Sequence, residues 1–281
     1  DHLIFSPRAN LRFNPSKDIN LRLSYSSGFR APQAFDEDLH IENVGGNVAM
    51  IKLADNLKEE KSHSLSASAD MYHSFGSVQV NFLIEGFFTK LSDVFALTDG
   101  EVVDGILTRT RFNAPGARVM GLTLEGKMAY RNLFQLQAGA TLQQSHYDEA
   151  HVWNPDAPAV RKMMRTPNTY GYFTATYTPV KPLSIALSGT YTGSMLVPHE
   201  AVPGYLETPK AVTTPDFFDI GLKVSYDFNI YKSVGIQLNA GVQNMFNAYQ
   251  DDFDKGPNRD SGYIYGPSLP RSFFAGVKMS Y

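Results

Sequence analysis

The sequence predicts an all-β protein whose antiparallel strands form the wall of a transmembrane β-barrel. Three observations support this prediction: apolar and polar residues alternate along most of the chain, charged side chains fall only on the polar set of each segment, and short connections alternate with long ones. In the last segment, Phe273, Ala275, Val277, Met279 and Tyr281 occupy every second position. This is the period of a strand whose two faces meet different solvents, and the terminal aromatic residue suggests that one solvent is lipid.

About eleven segments follow this alternation. Most are near the length of about 9 to 11 residues that a tilted strand needs to cross the hydrocarbon. In chain order the predicted strands comprise residues 7–13, 19–26, 64–71, 78–89, 122–130, 134–143, 170–177, 183–192, 218–228, 234–243 and 271–281. The apolar sets of all but the seventh are centred on Leu11, Leu21, Ala67, Phe82, Leu124, Ala138, Ile185, Leu222, Leu238 and Val277. The seventh is the least decided because aromatic residues fall on both of its faces.

The composition of the polar faces distinguishes a membrane barrel from a soluble sandwich. A soluble sheet exposes a polar face rich in Lys and Glu, whereas here Ser, Thr, Gln, Asn and Gly dominate, which suits a lumen filled by water or a plug. A Lys or Arg at the middle of the lipid face would cost about 2 to 4 kcal/mol. The charged residues expected to face the lumen, where they would hold a plug, are Arg8, Arg12, Arg22, Asp70, Glu85, Glu125, Lys127, Asp219 and Lys223.

The connections predict an orientation. Tight turns are expected at residues 15–18, 75–77, 131–132, 180–181 and 229–232, and long connections at 28–61, 99–116, 145–167, 195–215 and 248–270. Outer-membrane barrels have short periplasmic turns and long extracellular loops, so the C terminus is expected in the periplasm. Tyr25, Phe88, Tyr191 and Phe246 would then form an outer aromatic girdle.

A count near eleven strands predicts an incomplete barrel, because single-chain bacterial barrels have even strand numbers and eleven is half of twenty-two. An open half-barrel would leave unpaired backbone groups in lipid, each costing several kcal/mol. We therefore expect residues 1–281 to be the C-terminal part of a barrel whose first half is absent from this chain. The alternative is a twelfth strand, formed by residues 108–112 pairing with 94–98, which would let the barrel close on itself.

Composition excludes several other classes. No stretch approaches the roughly 20 apolar residues of a spanning helix, and a net charge of −3 with dispersed basic residues gives no nucleic-acid signature. The absence of Cys fits export but is weak evidence. The sequence opens at Asp1 without a signal peptide, so we expect a processed chain or a piece of a longer one. Without a nucleophile elbow, paired acids or a phosphate loop, we expect no enzyme and no cofactor.

Two pairs of motifs carry a family resemblance. The penultimate strand closes on Asn244, Met245, Phe246 and Asn247, and Gly266, Pro267, Pro270 and Arg271 precede the last strand, which ends at Tyr281. Near the start, Phe29, Arg30, Ala31 and Pro32 are followed by an N-L-x-x-E element at residues 56–60. Together these resemble the N-L-F-N, G-P-x-x-P-R, F-R-A-P and N-L-x-x-E elements of TonB-dependent outer-membrane receptors, with matching spacing across essentially the whole chain.

The resemblance implies a barrel of twenty-two strands filled by an N-terminal plug with a TonB box ahead of it, neither of which lies in this chain. It further implies a Gram-negative outer-membrane receptor for active uptake of a scarce nutrient, foremost a metal chelate such as a ferric siderophore or cobalamin, with haem or a glycan as alternatives. Expected partners are outer-membrane lipid, the TonB complex through the missing plug, a small-molecule ligand and a surface lipoprotein. The alternative function is a small closed barrel acting as an enzyme or a passive pore.

Candidate ligand-binding residues lie in the predicted outer loops: Arg30, Asp36, Asp38, His40, His146 and His151. For Arg30 we favour a structural role, in which it bridges carboxylates of the loop or plug. Pro32 is expected to end the strand that precedes it. The placement of His40 resembles the haem-receptor branch, but the following element reads Asn56-Leu57-Lys58-Glu59 instead of N-P-x-L.

Two loop clusters contain metal-ligand types. His146, Asp148, Glu149 and His151 suit a transition metal. Oxygen ligands suited to Ca²⁺ occur at Asp251, Asp252, Asp254, Asn258 and Asp260, without the EF-hand spacing. In both clusters a solvated loop is the competing interpretation.

Overall fold

The computed structural model describes residues 4–33, 49–97, 101–103, 106–154, 156–202, 204–231, 234–257 and 259–280. All regular elements of this part of the chain are β-strands. No helix in these residues is long and apolar enough to cross a membrane.

In the described residues, eleven long strands form one antiparallel sheet in strict chain order, and one short strand pairs beside its path. They are β1 (Arg8–Ser16), β2 (Ile19–Arg30), β4 (Glu60–Phe75), β5 (Val78–Ser92), β9 (Ala117–Tyr130), β10 (Phe134–His151), β12 (Thr169–Val180), β13 (Leu183–Thr192), β16 (Phe217–Tyr231), β17 (Val234–Gln243) and β18 (Ser272–Ser280). The described parts of the long connections contain seven short strands: β3 (Ala49–Leu53), β6 (Val94–Leu97), β7 (Glu101–Val103), β8 (Ile106–Ala114), β11 (Val160–Lys162), β14 (Leu196–His199) and β15 (Lys210–Thr213).

The prediction of eleven wall strands is confirmed, and the closed twelve-strand alternative is wrong. Residues 94–97 do pair with 111–114, but β6 and β8 belong to a separate sheet with β3 and β7 and add nothing to the wall. Among the described residues β1 pairs only with β2, and β18 only with β17. The sheet therefore has two open edges.

The cross-strand register confirms the two predicted faces. One row pairs Ala69, Ile84, Leu124 and Ala140 across four strands. The row beside it has Ser68, Glu85, Thr123 and Thr141. The seventh predicted strand is decided by its neighbours, because Phe173 lies opposite Ala138 and Gly189 and so joins the apolar face.

The apolar face is exposed wherever the structure describes it. Leu11 is 66% exposed, Leu124 37% and Val277 69%. The buried apolar cluster is small and lies at the end of the sheet with the long connections: Val197, Phe217, Tyr263 and Tyr265, with Met195, Val212 and Ala248 packed against it. A sheet whose apolar rows face outward while the loops contain the core has the arrangement of a membrane wall.

Tight turns form at four of the predicted positions, 15–18, 75–77, 131–132 and 180–181, and the fifth, at 229–232, lies partly outside the described residues. Several strands extend past the predicted ends at the long connections. Predicted strand six ends at residue 143, but β10 continues to His151 and pairs there with β11. His146 and His151, expected in a loop, therefore lie on a strand. Alternation detects a difference in solvent between the two faces, and it ends once both faces are in water even though the backbone pairing continues.

Candidate functional site

The last long connection, residues 244–271, is closed at its base by Asn244. This side chain is 1% exposed. Its Nδ2 donates to the carbonyls of Ala248 (2.8 Å) and Leu269 (2.9 Å), and its Oδ1 accepts from the Ala248 N–H (2.8 Å). Asn244 adopts a φ of 46°, a left-handed conformation that Asn tolerates better than most residues. One amide thus ties both ends of the connection together.

The second Asn of the motif acts in the same way. The Oδ1 of Asn247 accepts from the Arg271 N–H at 3.0 Å, and the Arg271 guanidinium reaches the Met245 carbonyl at 3.4 Å. Phe246, between the two Asn residues, is 68% exposed. The predicted family motifs at 244–247 and 270–271 are therefore brought into direct contact.

Inside the connection, two tyrosines share one carboxylate. The hydroxyls of Tyr263 and Tyr265 donate to Asp252 at 2.7 and 2.5 Å. Gln250 adds a bond to Asp252 and accepts from the Tyr265 N–H at 3.1 Å. Burial raises the pKa of Tyr265 to about 12, assisted by the bond to Asp252. Burial alone would raise the pKa of Asp252, but the bonds from Tyr265, Tyr263 and Gln250 outweigh it and lower that pKa.

A buried His–Asp pair joins this connection to the preceding one. His199 Nε2 lies 3.0 Å from Asp254 Oδ2, with side chains 5% and 1% exposed. The His199 ring stacks on Tyr263 at 3.7 Å between centroids with a 4° interplanar angle. Both residues have a second polar atom, His199 Nδ1 and Asp254 Oδ1, that is buried without a partner in the described part of the chain.

A third connection contributes Arg165. The Arg165 guanidinium donates to the carbonyls of Ile264 (2.9 Å) and Gly262, and the Arg165 backbone N–H donates to the Leu196 carbonyl at 2.7 Å. The connections after β10, β13 and β17 therefore form one packed unit, which we call the loop cap: residues 165, 195–199, 212–217 and 244–271. Sequence reasoning missed Arg165, His199, Tyr263 and Tyr265, since none lies in a recognisable pattern.

A polar cavity of about 270 Å³ lies against the polar face of the sheet beneath the loop cap. It is lined by side chains and backbone of β13, β16 and β17 and by the base of the last connection, including Ser188, Thr190, Asp219, Gln243, Asn244 and Ser268. Asp219 was expected on the polar face, and it is the charged group of this lining. The cavity can accept hydrogen-bonding groups from a ligand or from a plug.

Arg30, which we expect to bridge carboxylates, contacts one carboxylate and one aromatic ring. Its guanidinium lies 3.0 Å from Glu60 Oε2 and 4.8 Å from the centre of the Phe95 ring. The strand ends at Arg30, just before Ala31 and Pro32. Nearby, Arg111 is 2% exposed and donates to the Gln33 carbonyl at 2.6 Å. The Arg30 side chain thus links the end of β2 to β4 and β6, and its role in ligand binding stays a prediction.

The N-L-x-x-E element is held by Asn113. Its Oδ1 accepts from the Lys58 N–H at 2.7 Å, and its Nδ2 donates to the carbonyls of Lys58 (3.0 Å) and Asp93 (2.8 Å). The small sheet of β3, β6, β7 and β8 is thereby attached to the start of β4.

The remaining predicted loop residues are distributed as follows. Asp36, Asp38, His40, Asn258 and Tyr281 lie outside the described residues. In β10, Asp148 forms an ion pair with Lys90, and the His151 ring contacts Tyr147 at 4.7 Å. Within the described ranges, no three His, Asp or Glu side chains are placed to hold a metal ion.

The Asp residues considered for Ca²⁺ accept hydrogen bonds from the protein itself. Asp254 Oδ2 accepts from the Asp260 N–H at 3.1 Å, and Asp260 accepts from the N–H groups of Glu200 (2.9 Å) and Gly262 (2.8 Å). Asp251 is exposed. A calcium site at Asp251, Asp252, Asp254 and Asp260 stays a prediction.

An open wall of consecutive antiparallel strands with an exposed apolar face and a clamped loop cap defines part of an outer-membrane-type β-barrel. Comparison with known families is more specific: the family described as "TonB dependent receptor-like, beta-barrel" matches residues 1–245. The chain belongs to this family of TonB-dependent outer-membrane receptors. No curated protein matches the sequence.

Solved structures with the same fold are transport receptors by their titles. The ferric-catecholate import receptor Fiu of E. coli K12 aligns with a TM-score of 0.62 at 17% identity, over 97% of this chain and 34% of Fiu. The ferric enterobactin receptor PfeA of Pseudomonas aeruginosa, in complex with enterobactin, aligns with a TM-score of 0.65 at 16% sequence identity, over 98% of this chain and 40% of PfeA. The copper transporter OprC aligns with a TM-score of 0.62 at 16% sequence identity, over 98% of this chain and 39% of OprC. The chain thus spans well under half the length of these neighbours, and the likeness concerns the fold.

Proposed function

We propose that this chain forms the C-terminal half of the wall of a 22-stranded outer-membrane receptor that takes up a scarce nutrient by TonB-dependent active transport. The observation that carries the proposal is the open sheet of eleven consecutive strands with an exposed apolar face. Its two edges present unpaired N–H and C=O groups that lipid cannot satisfy, so further strands are needed to seal the wall, and we propose that they are the other eleven of a 22-stranded barrel.

The rest of the receptor would lie N-terminal to these residues: the first half of the barrel, the plug and the TonB box. The long connections and the loop cap would face the outside of the cell, and the C terminus would face the periplasm. Residues on the polar face, such as Glu85, Glu125 and Asp219, would contact the plug. Energy supplied by the inner-membrane complex would move the plug and release the cargo inward.

The cargo class we favour is a metal chelate, with ferric siderophores and cobalamin first and haem or a glycan as alternatives. Neighbours named for ferric-catecholate, enterobactin and copper support a metal-linked cargo without selecting one. The vestibule would be formed by the loop cap, the polar cavity beneath it and the connection at 34–48, which contains Asp36, Asp38 and His40. His151, at the end of β10, would line its rim, whereas His146 lies opposite Arg118 on the apolar side of the wall.

The test uses the complete gene product in its source bacterium. A deletion strain is grown with single ferric siderophores, haem or cobalamin as the limiting source, with and without the gene restored and in a background without TonB. We expect one source to support growth only when both the receptor and TonB are present. Equal growth on every source would remove the metal-chelate proposal, and uptake independent of TonB would indicate a passive pore.

A further inference from the structure

One cross-strand row of the sheet consists of five consecutive basic or imidazole side chains. His63 lies opposite Lys90, Lys90 opposite Arg118, Arg118 opposite His146, and His146 opposite Lys162. We call these five residues the basic row. With neighbouring strands about 4.8 Å apart, the row is about 20 Å wide.

The basic row continues the lipid-facing side of the wall, just beyond its apolar part. Two positions further along β4, β5 and β9 lies an exposed apolar row formed by Leu65 (47% exposed), Phe88 (40%) and Met120 (37%), with Tyr25 beside Leu65, and the matching position on β10 is Gln144. The separation is about 7 Å, two residues of a strand. A 2.8 Å hydrogen bond joins His63 Nδ1 to the Tyr25 hydroxyl. It links the basic row to the predicted outer aromatic girdle.

Like charges directly opposite one another destabilise a sheet, so such a row requires an anionic counterpart. One carboxylate serves this purpose: Asp148 forms an ion pair with Lys90. Arg118 is exposed, and neither it nor Lys162 has an ion-pair or hydrogen-bond partner among the residues that the structure describes. The row therefore has more positive charge than its own strands neutralise.

We propose that the basic row binds the phosphate groups of an anionic glycolipid in the outer leaflet of the membrane. A guanidinium and two ammonium groups recognise phosphate by charge-assisted hydrogen bonds, and Arg118 can do so with two parallel bonds. The apolar row beneath would contact the acyl chains of the same molecule. A protein partner would not require basic residues immediately above a lipid-exposed row. The proposal rests on the outward orientation proposed above and is independent of the cargo.

The experiment titrates the complete receptor, purified in non-ionic detergent, with bisphosphorylated lipid A, with the same lipid lacking phosphate, and with inorganic phosphate. The test variant carries Arg118→Gln and Lys162→Gln. The matched control carries Lys17→Gln and Lys181→Gln, which remove the same charge at the tight-turn end of the sheet. A basic residue near an anionic lipid surface strengthens binding about fivefold, so the test variant should bind lipid A about 25-fold more weakly and the control within twofold of wild type.

A gain-of-binding variant keeps the test informative if the double variant folds poorly. Asp148→Asn releases Lys90 from its ion pair and should strengthen lipid A binding about fivefold. Unheated gel migration, which distinguishes a folded barrel, checks each variant.

Four results would overturn the proposal: wild-type affinity in the double variant, an equal loss in the control, equally tight binding of dephosphorylated lipid, or displacement of lipid A by inorganic phosphate at matched concentration. Failure of lipid binding in the complete receptor, with the row covered by an acidic segment of the missing half, would also overturn it. None of these outcomes changes the growth test of the proposed function.

Discussion

Replacing Asn244 should loosen the loop cap while leaving the wall intact. Asn244→Ala removes three hydrogen bonds, two to carbonyls and one to an N–H, and the site is 1% exposed. At a net value of about 1 kcal/mol each, this costs about 3 kcal/mol. The φ of 46° adds about 1 kcal/mol, because Ala tolerates the left-handed region poorly. The expected total is about 4 kcal/mol of local stability.

Three further variants separate these contributions. Asn244→Gly loses the same bonds but not the backbone preference, so it should cost about 3 kcal/mol. Asn244→Asp keeps the acceptor for the Ala248 N–H but directs a buried carboxylate oxygen at the Ala248 and Leu269 carbonyls, so it should cost more than Gly. Asn247→Gly is the matched control, since the Asn247 side chain makes one bond, to the Arg271 N–H, and its loss should cost about 1 kcal/mol.

Hydrogen exchange measured by mass spectrometry on the complete receptor reports these energies as opening of the segment 248–271. A cost of 3 kcal/mol corresponds to about 150-fold faster exchange, and 4 kcal/mol to about a thousandfold, when opening is local. The exchange rates of peptides covering the tight turn at 75–77 should be unchanged. Exchange within threefold of wild type in Asn244→Gly, or an equal effect of Gly and Ala, would refute this account of the clamp.

Three other outcomes follow from the cap and the wall. The folded cap lowers the pKa of Asp252, so the ionised carboxylate stabilises the cap fully above its unfolded pKa near 4 and loses this effect as the pH falls through the folded pKa. Hydrogen exchange of residues 248–271 should therefore rise at acid pH in wild type but not in Asp252→Asn. Because the pKa of Tyr265 is raised to about 12, stability should fall between about pH 10 and 12, and Tyr265→Phe should reduce that slope, as pH-dependent exchange would show. Leu124→Arg on the lipid face should cost about 2 to 4 kcal/mol in urea titrations of refolding into vesicles, whereas Thr123→Arg, opposite Glu85, should cost less than 1 kcal/mol; equal costs would contradict the assignment of the faces.

The wall could be predicted from sequence because its physics is periodic. Each strand separates lipid from water, so side-chain polarity alone identifies the faces, and tight turns such as that at 75–77 follow directly from the spacing. The prediction was wrong at strand ends in long connections, where both faces are wet. Alternation therefore places His146 and His151 in a loop, although backbone pairing carries β10 to residue 151.

The loop cap could be predicted only at its base. The Asn residues of the 244–247 motif were singled out by resemblance, and their amides do close the connection. Nothing in the sequence indicated that Tyr263 and Tyr265 would share Asp252, or that His199 would reach Asp254 across 55 positions. Such contacts depend on how three long connections pack together, which local patterns do not encode.

The hydrogen bonds of Asn244 and Asn247 at the base of the last connection explain how one wall can present different surfaces. Asn244 and Asn247 fix the ends of the last connection by bonds to backbone groups of residues 248, 269 and 271, and those bonds do not depend on which side chains occupy the interior. Residues between them that lie outside the buried contacts of Tyr263, Tyr265 and Asp254 are then free to change without altering the strand register of β17 and β18. Gly266 limits this freedom at one point, because its φ of 83° and its approach to the Phe217 ring leave no room for a Cβ. The cap can therefore vary in ligand chemistry while its attachment to the barrel stays constant.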